Sequence, residues 1–159
     1  MRPAKKLLFL DFDGVLHPTL CDSAAYFCEG WRLHRAIVES GVDLELVISS
    51  SWRFHHPINE LQGFLLPDIG RLVVGVTPSV TPGRYQRYRE IKGFLESYRR
   101  SPDWRALDDS AFEFPIPCPQ LFLCNGSIGM DDRIASEIRT WLATPQGSKV
   151  NGEGAMVGL

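Results

Sequence analysis

Short apolar runs alternate along the chain with stretches in which apolar residues recur every three or four positions. Leu7 to Phe12 reads as a first strand, and Leu44 to Ser49, apolar at nearly every position, as a second. A strand without polar alternation is one covered on both faces. Between them Trp31 to Ser40 has a helical period and meets its stop at Gly41. Ile58, Leu61, Phe64 and Leu65 form one helical stripe, closed by Pro67. Arg71 to Val76 predicts a third strand, Trp104 to Leu107 a fourth and Gln120 to Leu123 a fifth. Ile91, Phe94, Leu95 and Tyr98 predict the helix before the fourth strand, and Ile134, Ile138, Trp141 and Leu142 the last helix. This alternation predicts an α/β domain, Rossmann-like and three-layered, with a mainly parallel five-stranded sheet and crossover helices. Trp31, Trp104 and Trp141 are expected in its core.

After Pro145 the residues turn to Gly, Ser, Lys and Asn without any period, so 145–159 reads as a loose tail on a domain spanning 1–144. A chain of 159 residues is enough for one domain with a real core and too short for two comfortable ones. The net charge of −2 gives no global pull toward nucleic acid or an anionic membrane. The first apolar run, Leu7 to Leu10, falls below the ~7–15 residues of a signal-peptide core. No stretch reaches the ~20 apolar residues that span a bilayer. The expected location is the cytoplasm, with no membrane partner. The oligomeric state is not legible. Cys21, Cys28, Cys118 and Cys124 lack the spacing of a zinc knuckle and are expected as free thiols.

In an open parallel sheet, ligands bind outside the carboxyl ends of the strands. The first strand ends in Asp11-Phe12-Asp13-Gly14, the second in Ser49-Ser50-Ser51, the fourth in Asp108-Asp109. These are hard oxygen ligands suited to Mg²⁺, together with hydroxyl donors for a phosphate. A carboxylate attacking an anionic phosphate ester needs a cation to screen it. A second carboxyl must release the alcohol as acid and then activate water as base. Two acids two residues apart suit that division, because alternate residues of an extended chain point the same way. Gly14 permits a tight turn and lets backbone amides approach a phosphate. A calcium loop would want further oxygen ligands, which Val15, Leu16 and Pro18 do not supply.

An apolar strand ending in Asp-x-Asp-Gly-Val-Leu resembles the first motif of the haloacid dehalogenase (HAD) superfamily. That resemblance implies Asp11 as nucleophile and Asp13 as general acid and base. It implies Mg²⁺ held by the Asp11 carboxylate, the Asp13 backbone carbonyl and an acid after the fourth strand, Asp108 or Asp109. It implies a phosphate-holding hydroxyl after the second strand, Ser50 first and Ser49 next. Val47-Ile48-Ser49-Ser50-Ser51-Trp52-Arg53, Arg87-x-x-Glu90-Ile91 and Leu107-Asp108-Asp109 resemble more narrowly the capless HAD domain of Swiss Army Knife RNA repair proteins. The third HAD motif is commonly Lys; no Lys occupies the obvious place here, so Arg87 is the expected substitute, with Lys92 as the rival.

The resemblance implies a Mg²⁺-dependent phosphomonoester hydrolase working through an aspartyl phosphate. Its alternatives are a phosphotransferase, or a metal- and phosphate-binding module without activity. A phosphorylation-receiver domain has no need of the second acid. Neither Val15–Asp43 nor Trp52–Arg84 is long enough for a separate cap of ~50 residues. The expected partner is therefore a phosphorylated substrate that an open cleft admits: a nucleic-acid end, a phosphoprotein or a small phosphate ester. Gly83–Arg100 carries six Arg or Lys against two Glu, with Tyr85, Tyr88 and Tyr98 interleaved. That pattern fits either a track for a polyanion or a solvated helix face. His17, just past the first motif, is a candidate substrate contact. His55 and His56 lack a third metal ligand nearby.

Overall fold

The computed structural model describes residues 6–98 and 101–145. Five strands, β1 (Lys6–Leu10), β2 (Leu44–Ile48), β3 (Val73–Val76), β4 (Asp103–Asp108) and β5 (Leu121–Leu123), form one sheet in the order β3-β2-β1-β4-β5. Every pairing is parallel. Among the described residues four α-helices connect them, α1 (Gly30–Ser40), α2 (Ile58–Gly63), α3 (Pro67–Gly70) and α4 (Gln86–Ser97), and a fifth, α5 (Asp132–Ala143), follows β5. The chain runs outward from β1 to β3 on one side and returns to lay β4 on the other. The strand order therefore reverses at β1, where an open α/β sheet leaves its crevice.

Side chains alternate across the sheet. Leu8, Leu10, Leu46, Ile48 and Leu107 point into the larger core cluster, with Leu33 and Ile37 of α1 and Ile134, Ile138 and Trp141 of α5. Leu7, Phe9, Val47, Trp104 and Ala106 point the other way and are covered by Ile91, Phe94 and Leu95 of α4. All five strand residues on that second face are buried, and Leu7, Phe9 and Val47 each contribute ~1.5–3 kcal/mol through burial. This alternation decides which residues reach α4 when the strands end.

Gly41 ends α1 in the left-handed conformation, φ 65°, as a glycine C-terminal stop does. Pro67 does more than close the stripe before it: it opens α3 at a first-turn position, where its missing N–H costs nothing. The third strand begins at Val73, because Arg71 still donates its N–H to the Pro67 carbonyl at the end of α3. Trp104 and Trp141 are buried as expected, but Trp31 is 47% exposed. It lies in the first turn of α1, off the Leu33–Ala36–Ile37 stripe, with the Arg32 guanidinium 4.4 Å from its ring centre. No described helix is long and apolar enough to cross a membrane. All four cysteines are free thiols. Beyond Pro145, the stretch read as a tail lies outside the described residues.

Candidate active site

The ladder of β1 ends where Leu10 pairs with Ile48 on one side and Leu107 on the other. One residue further, Asp11, Ser49 and Asp108 stand level. The Asp11 N–H donates to the Leu107 carbonyl at 3.1 Å, and the Ser49 N–H to the Leu10 carbonyl at 3.0 Å. Phe9, Val47 and Ala106 face α4, so two positions on, these three residues face the same side.

The first turn of α4 presents Arg87 there. Its Nη1 lies 2.6 Å from Asp108 Oδ2 and 3.4 Å from Asp11 Oδ2. The other oxygens are held by the backbone: Asp11 Oδ1 accepts the Phe12 N–H and Asp108 Oδ1 the Ser110 N–H, both at 2.9 Å. Asp109 turns toward the loop after β1, where its Oδ2 accepts the Thr19 hydroxyl at 3.2 Å. Gly14, at φ +77°, and Gly126 flank that carboxylate so closely that a Cβ on either would collide with it.

Asp11, Asp108 and Asp109 each offer an oxygen within 4.8 Å of the others. Burial pushes the Asp11 carboxyl well above the usual carboxylate range, and Asp108 pushes it further, against the pull of Arg87. Asp108 is raised for the same first reason, burial, with Arg87 opposing and Asp109 adding. Three oxygen ligands crowded where water is scarce, two of them disfavoured as anions, fit a divalent hard cation such as Mg²⁺. Both members of the Asp108–Asp109 pair contribute to the cluster.

Asp13 stands apart, its side chain 44% exposed. Its Oδ1 is 2.7 Å from His17 Nε2 and its Oδ2 accepts the Trp52 indole N–H at 3.1 Å. The Trp52 ring in turn packs edge-on against Phe12, Tyr26, Phe27 and Phe64.

Ser49 and Ser50 are buried and Ser51 is exposed. The Ser50 hydroxyl accepts the Trp52 N–H at 3.2 Å and caps the 3-10 turn Ser51–Phe54. This is the ordinary capping role of a serine at a helix start. Ser49 is the hydroxyl residue level with Asp11. Arg53 folds back beneath them: Nη1 donates to the Ser49 and Ser50 carbonyls at 3.0 Å, and Nε to the Thr77 carbonyl at 2.9 Å. Its Nη2 forms a buried 2.8 Å ion pair with Glu90 of α4. Burial lowers the Arg53 pKa, and Glu90 opposes that shift. One helix thus sends Arg87 to the acids and Glu90, three residues on, to the loop after β2.

Three sequence expectations change. The Gly14 N–H is committed to the His17 carbonyl at 2.8 Å, so Gly14 offers the site room and a turn. His17 is fully buried and touches Asp13, out of reach of a substrate. Among the described residues the cations around α4 do not form a free track: Arg89 donates to the Arg84 and Thr81 carbonyls, and Arg84 lies over Tyr85, while Arg99 and Arg100 of the same stretch lie outside the described residues. Lys92 is exposed, 5.9 Å from the Tyr88 ring centre, and contacts none of the acids. Tyr88 itself packs on Trp104 and Phe114. Thr19 also lies just past the first motif but has no signal of its own in the sequence; only the return of β4 brings Asp109 to it, 90 positions away.

The family described as the HAD domain in Swiss Army Knife RNA repair proteins matches residues 7–135. Among curated proteins and among solved structures, no match was found.

Proposed function

The chain belongs to that HAD-domain family, whose general chemistry is phosphatase-type hydrolysis, and we propose that it hydrolyses phosphate monoesters through an aspartyl phosphate on Asp11. The observation that carries this reading is the meeting of Asp11, Asp108 and Asp109 with Arg87 at the carboxyl end of the sheet, with a separate, exposed carboxyl, Asp13, two residues past Asp11.

Asp11, Asp108 and Asp109 are the carboxylates that would hold Mg²⁺, with the Asp13 backbone carbonyl as the further ligand. Bound there, the ion supplies positive charge that screens the nucleophile from the ester and stabilises charge building on the phosphoryl oxygens. Arg87 supplies a fixed cation beside Asp11, and the Ser49 hydroxyl a neutral donor level with it; Ser50 and Ser51 follow on the same loop. An Asp11 oxygen attacks phosphorus as the bond from phosphorus to the ester oxygen breaks. The leaving oxygen takes the proton of Asp13 and departs as an alcohol. The Asp13 carboxylate then accepts a proton from water as the water oxygen attacks phosphorus. The bond from phosphorus to Asp11 breaks, inorganic phosphate leaves, and both carboxyls return to their first states.

The Asp13 side chain is 44% exposed, and the chain between β1 and β2 and between β2 and β3 adds only short helices and turns. That supports a phosphate carried on a bulky substrate, such as a nucleic-acid end. The test uses labelled substrate and purified protein. Asp11→Asn should abolish the labelled phosphoenzyme. Asp13→Asn should still form it from an activated aryl phosphate and release it slowly. A normal phosphoenzyme in Asp11→Asn refutes the mechanism. A 5′- or 3′-phosphorylated oligonucleotide should be turned over at least as well as a sugar phosphate; rapid turnover of one small metabolite alone refutes the open-cleft reading.

A further inference from the structure

The structure places beside Asp13 a buried histidine that the proposed chemistry does not yet use. We propose that His17 is a positioning residue that fixes the Asp13 carboxyl for proton transfer, acting as a donor in one enforced tautomer. The inference rests on reading Asp13 as the acid and base.

His17 has no exposed surface, so whatever it does, it does through a neighbour. Its two ring nitrogens have different partners. The backbone N–H of Phe27 points at Nδ1 from 3.1 Å. A backbone amide only donates, so Nδ1 accepts and the ring proton sits on Nε2. Nε2 lies 2.7 Å from Asp13 Oδ1 and therefore donates to it. On the other oxygen, Oδ2, the Trp52 indole N–H, which also can only donate, sits at 3.1 Å. Two donors, one on each oxygen, hold both side-chain torsions of Asp13. Each oxygen keeps a further lone pair for the mobile proton on its open side.

The support behind this arrangement is unusual. Phe27 adopts φ +64°, a left-handed conformation that costs a bulky residue ~1–3 kcal/mol. Such strain persists where the surroundings over-determine it. Here the Phe27 ring is stacked on Phe64 and edge-on to Phe12, His17 and Trp52. The imidazole is wedged between Tyr26, Phe27 and Trp52, with ring centres 4.9, 5.2 and 5.9 Å away. The turn that brings His17 back onto Asp13 closes through the Gly14 N–H and the His17 carbonyl. A chain of three groups, the Phe27 amide, the imidazole and the Asp13 carboxyl, thus runs from a strained backbone to the cleft.

Two measurements test the role. The first compares His17→Phe with His17→Gln, whose Nε2 reproduces the donor, on an alkyl phosphate and on 4-nitrophenyl phosphate. Departure of an alkoxide needs the acid, whereas nitrophenolate leaves without it. Phosphoenzyme formation from the alkyl ester should fall ~100-fold in His17→Phe, the low end of a general-acid contribution. Formation from 4-nitrophenyl phosphate should fall far less, KM should hold for both, and His17→Gln should recover most of the loss. Equal losses on the two esters, or a Gln variant no better than Phe, overturn the role. If His17→Phe fails to fold, Trp52→Phe, which keeps a ring and removes the other donor, should show the same split between esters. The second measurement is the ring ¹⁵N spectrum of the wild-type protein, which should show a protonated Nε2 and a bare Nδ1. The opposite tautomer overturns the proposal whatever the kinetics. A wild type inactive on both esters overturns the proposed function itself, while an active one with equal losses overturns only His17.

Discussion

Arg87 Nη1 stands between two carboxylates, 2.6 Å from Asp108 and 3.4 Å from Asp11, and it reaches them from the first turn of α4. Burial works against the guanidinium charge, but Asp108 and then Asp11 outweigh it and hold the Arg87 pKa above its ordinary value. The cation is therefore permanent. It does for two crowded carboxylates part of what a metal does for all three.

Arg87→Ala should lower kcat/KM by ~2–4 kcal/mol of transition-state stabilisation, the scale of one lost preorganised donor. Lys92 is exposed and more than one helical turn further along α4, so Lys92→Ala should change kcat/KM by less than ~0.5 kcal/mol, as surface substitutions do. Steady-state kinetics on both variants decide the matter. A crippled Lys92 variant beside a healthy Arg87 one would move the third motif by about a turn.

The stability of the metal-free protein should depend on pH in a particular direction. Asp11 and Asp108 hold their protons more tightly folded than unfolded, through burial first. Above the ordinary carboxylate range the folded state therefore binds more protons than the unfolded one, and stability falls as pH rises through the raised pKa values. Asp103 has the opposite sign. Burial alone would raise it, but the Lys6 hydrogen bond and its neighbours bring it below the ordinary value, so its stabilisation is lost only on acidification. In chelator at neutral pH, Asp11→Asn should raise Tm by about 2–4 °C, what ~1 kcal/mol produces in a domain of this size. Mg²⁺ should raise the wild-type Tm and flatten the decline above the carboxylate range. A wild-type Tm indifferent to Mg²⁺ across that range would remove the metal from this cluster.

The Arg53–Glu90 pair should behave as a buried unit. Glu90→Gln strands a buried guanidinium and should destabilise the protein by ~3–5 kcal/mol in urea unfolding. Arg53→Met combined with Glu90→Leu should cost less than the sum of the two single changes, because neither charge is left alone. Additive losses would mean that the ion pair contributes nothing as a pair.

The fold was legible wherever one rule acted alone. Apolar runs marked the five strands and Gly41 the end of α1, while the first strand, expected to reach Phe12, stops at Leu10, and the third starts at Val73, two residues past Arg71. What was not legible depended on strands meeting. That Asp11, Ser49 and Asp108 stand level follows from parallel register, which no single segment encodes. That Arg87 rather than Lys92 reaches them follows from α4 lying on the Phe9–Val47–Ala106 face. His17 is a candidate substrate contact by its closeness to the motif alone; the Gly14 turn sends it inward instead. Residue type alone points Trp31 to the core, but its position lies off the buried stripe of its own helix.

The central place of β1 in the sheet also sets an order of assembly. Lys6, the first residue of β1, meets its partner Asp103 across 97 positions of sequence, while β2 and β3 lie nearer in the chain. Pairings so distant close late, after the entropy of a long loop has been spent. A growing or partly folded chain therefore carries the Asp-x-Asp motif well before it has a catalytic centre. The acids stand together only where β4 lies beside β1, and Arg87 meets Asp108 across that same junction.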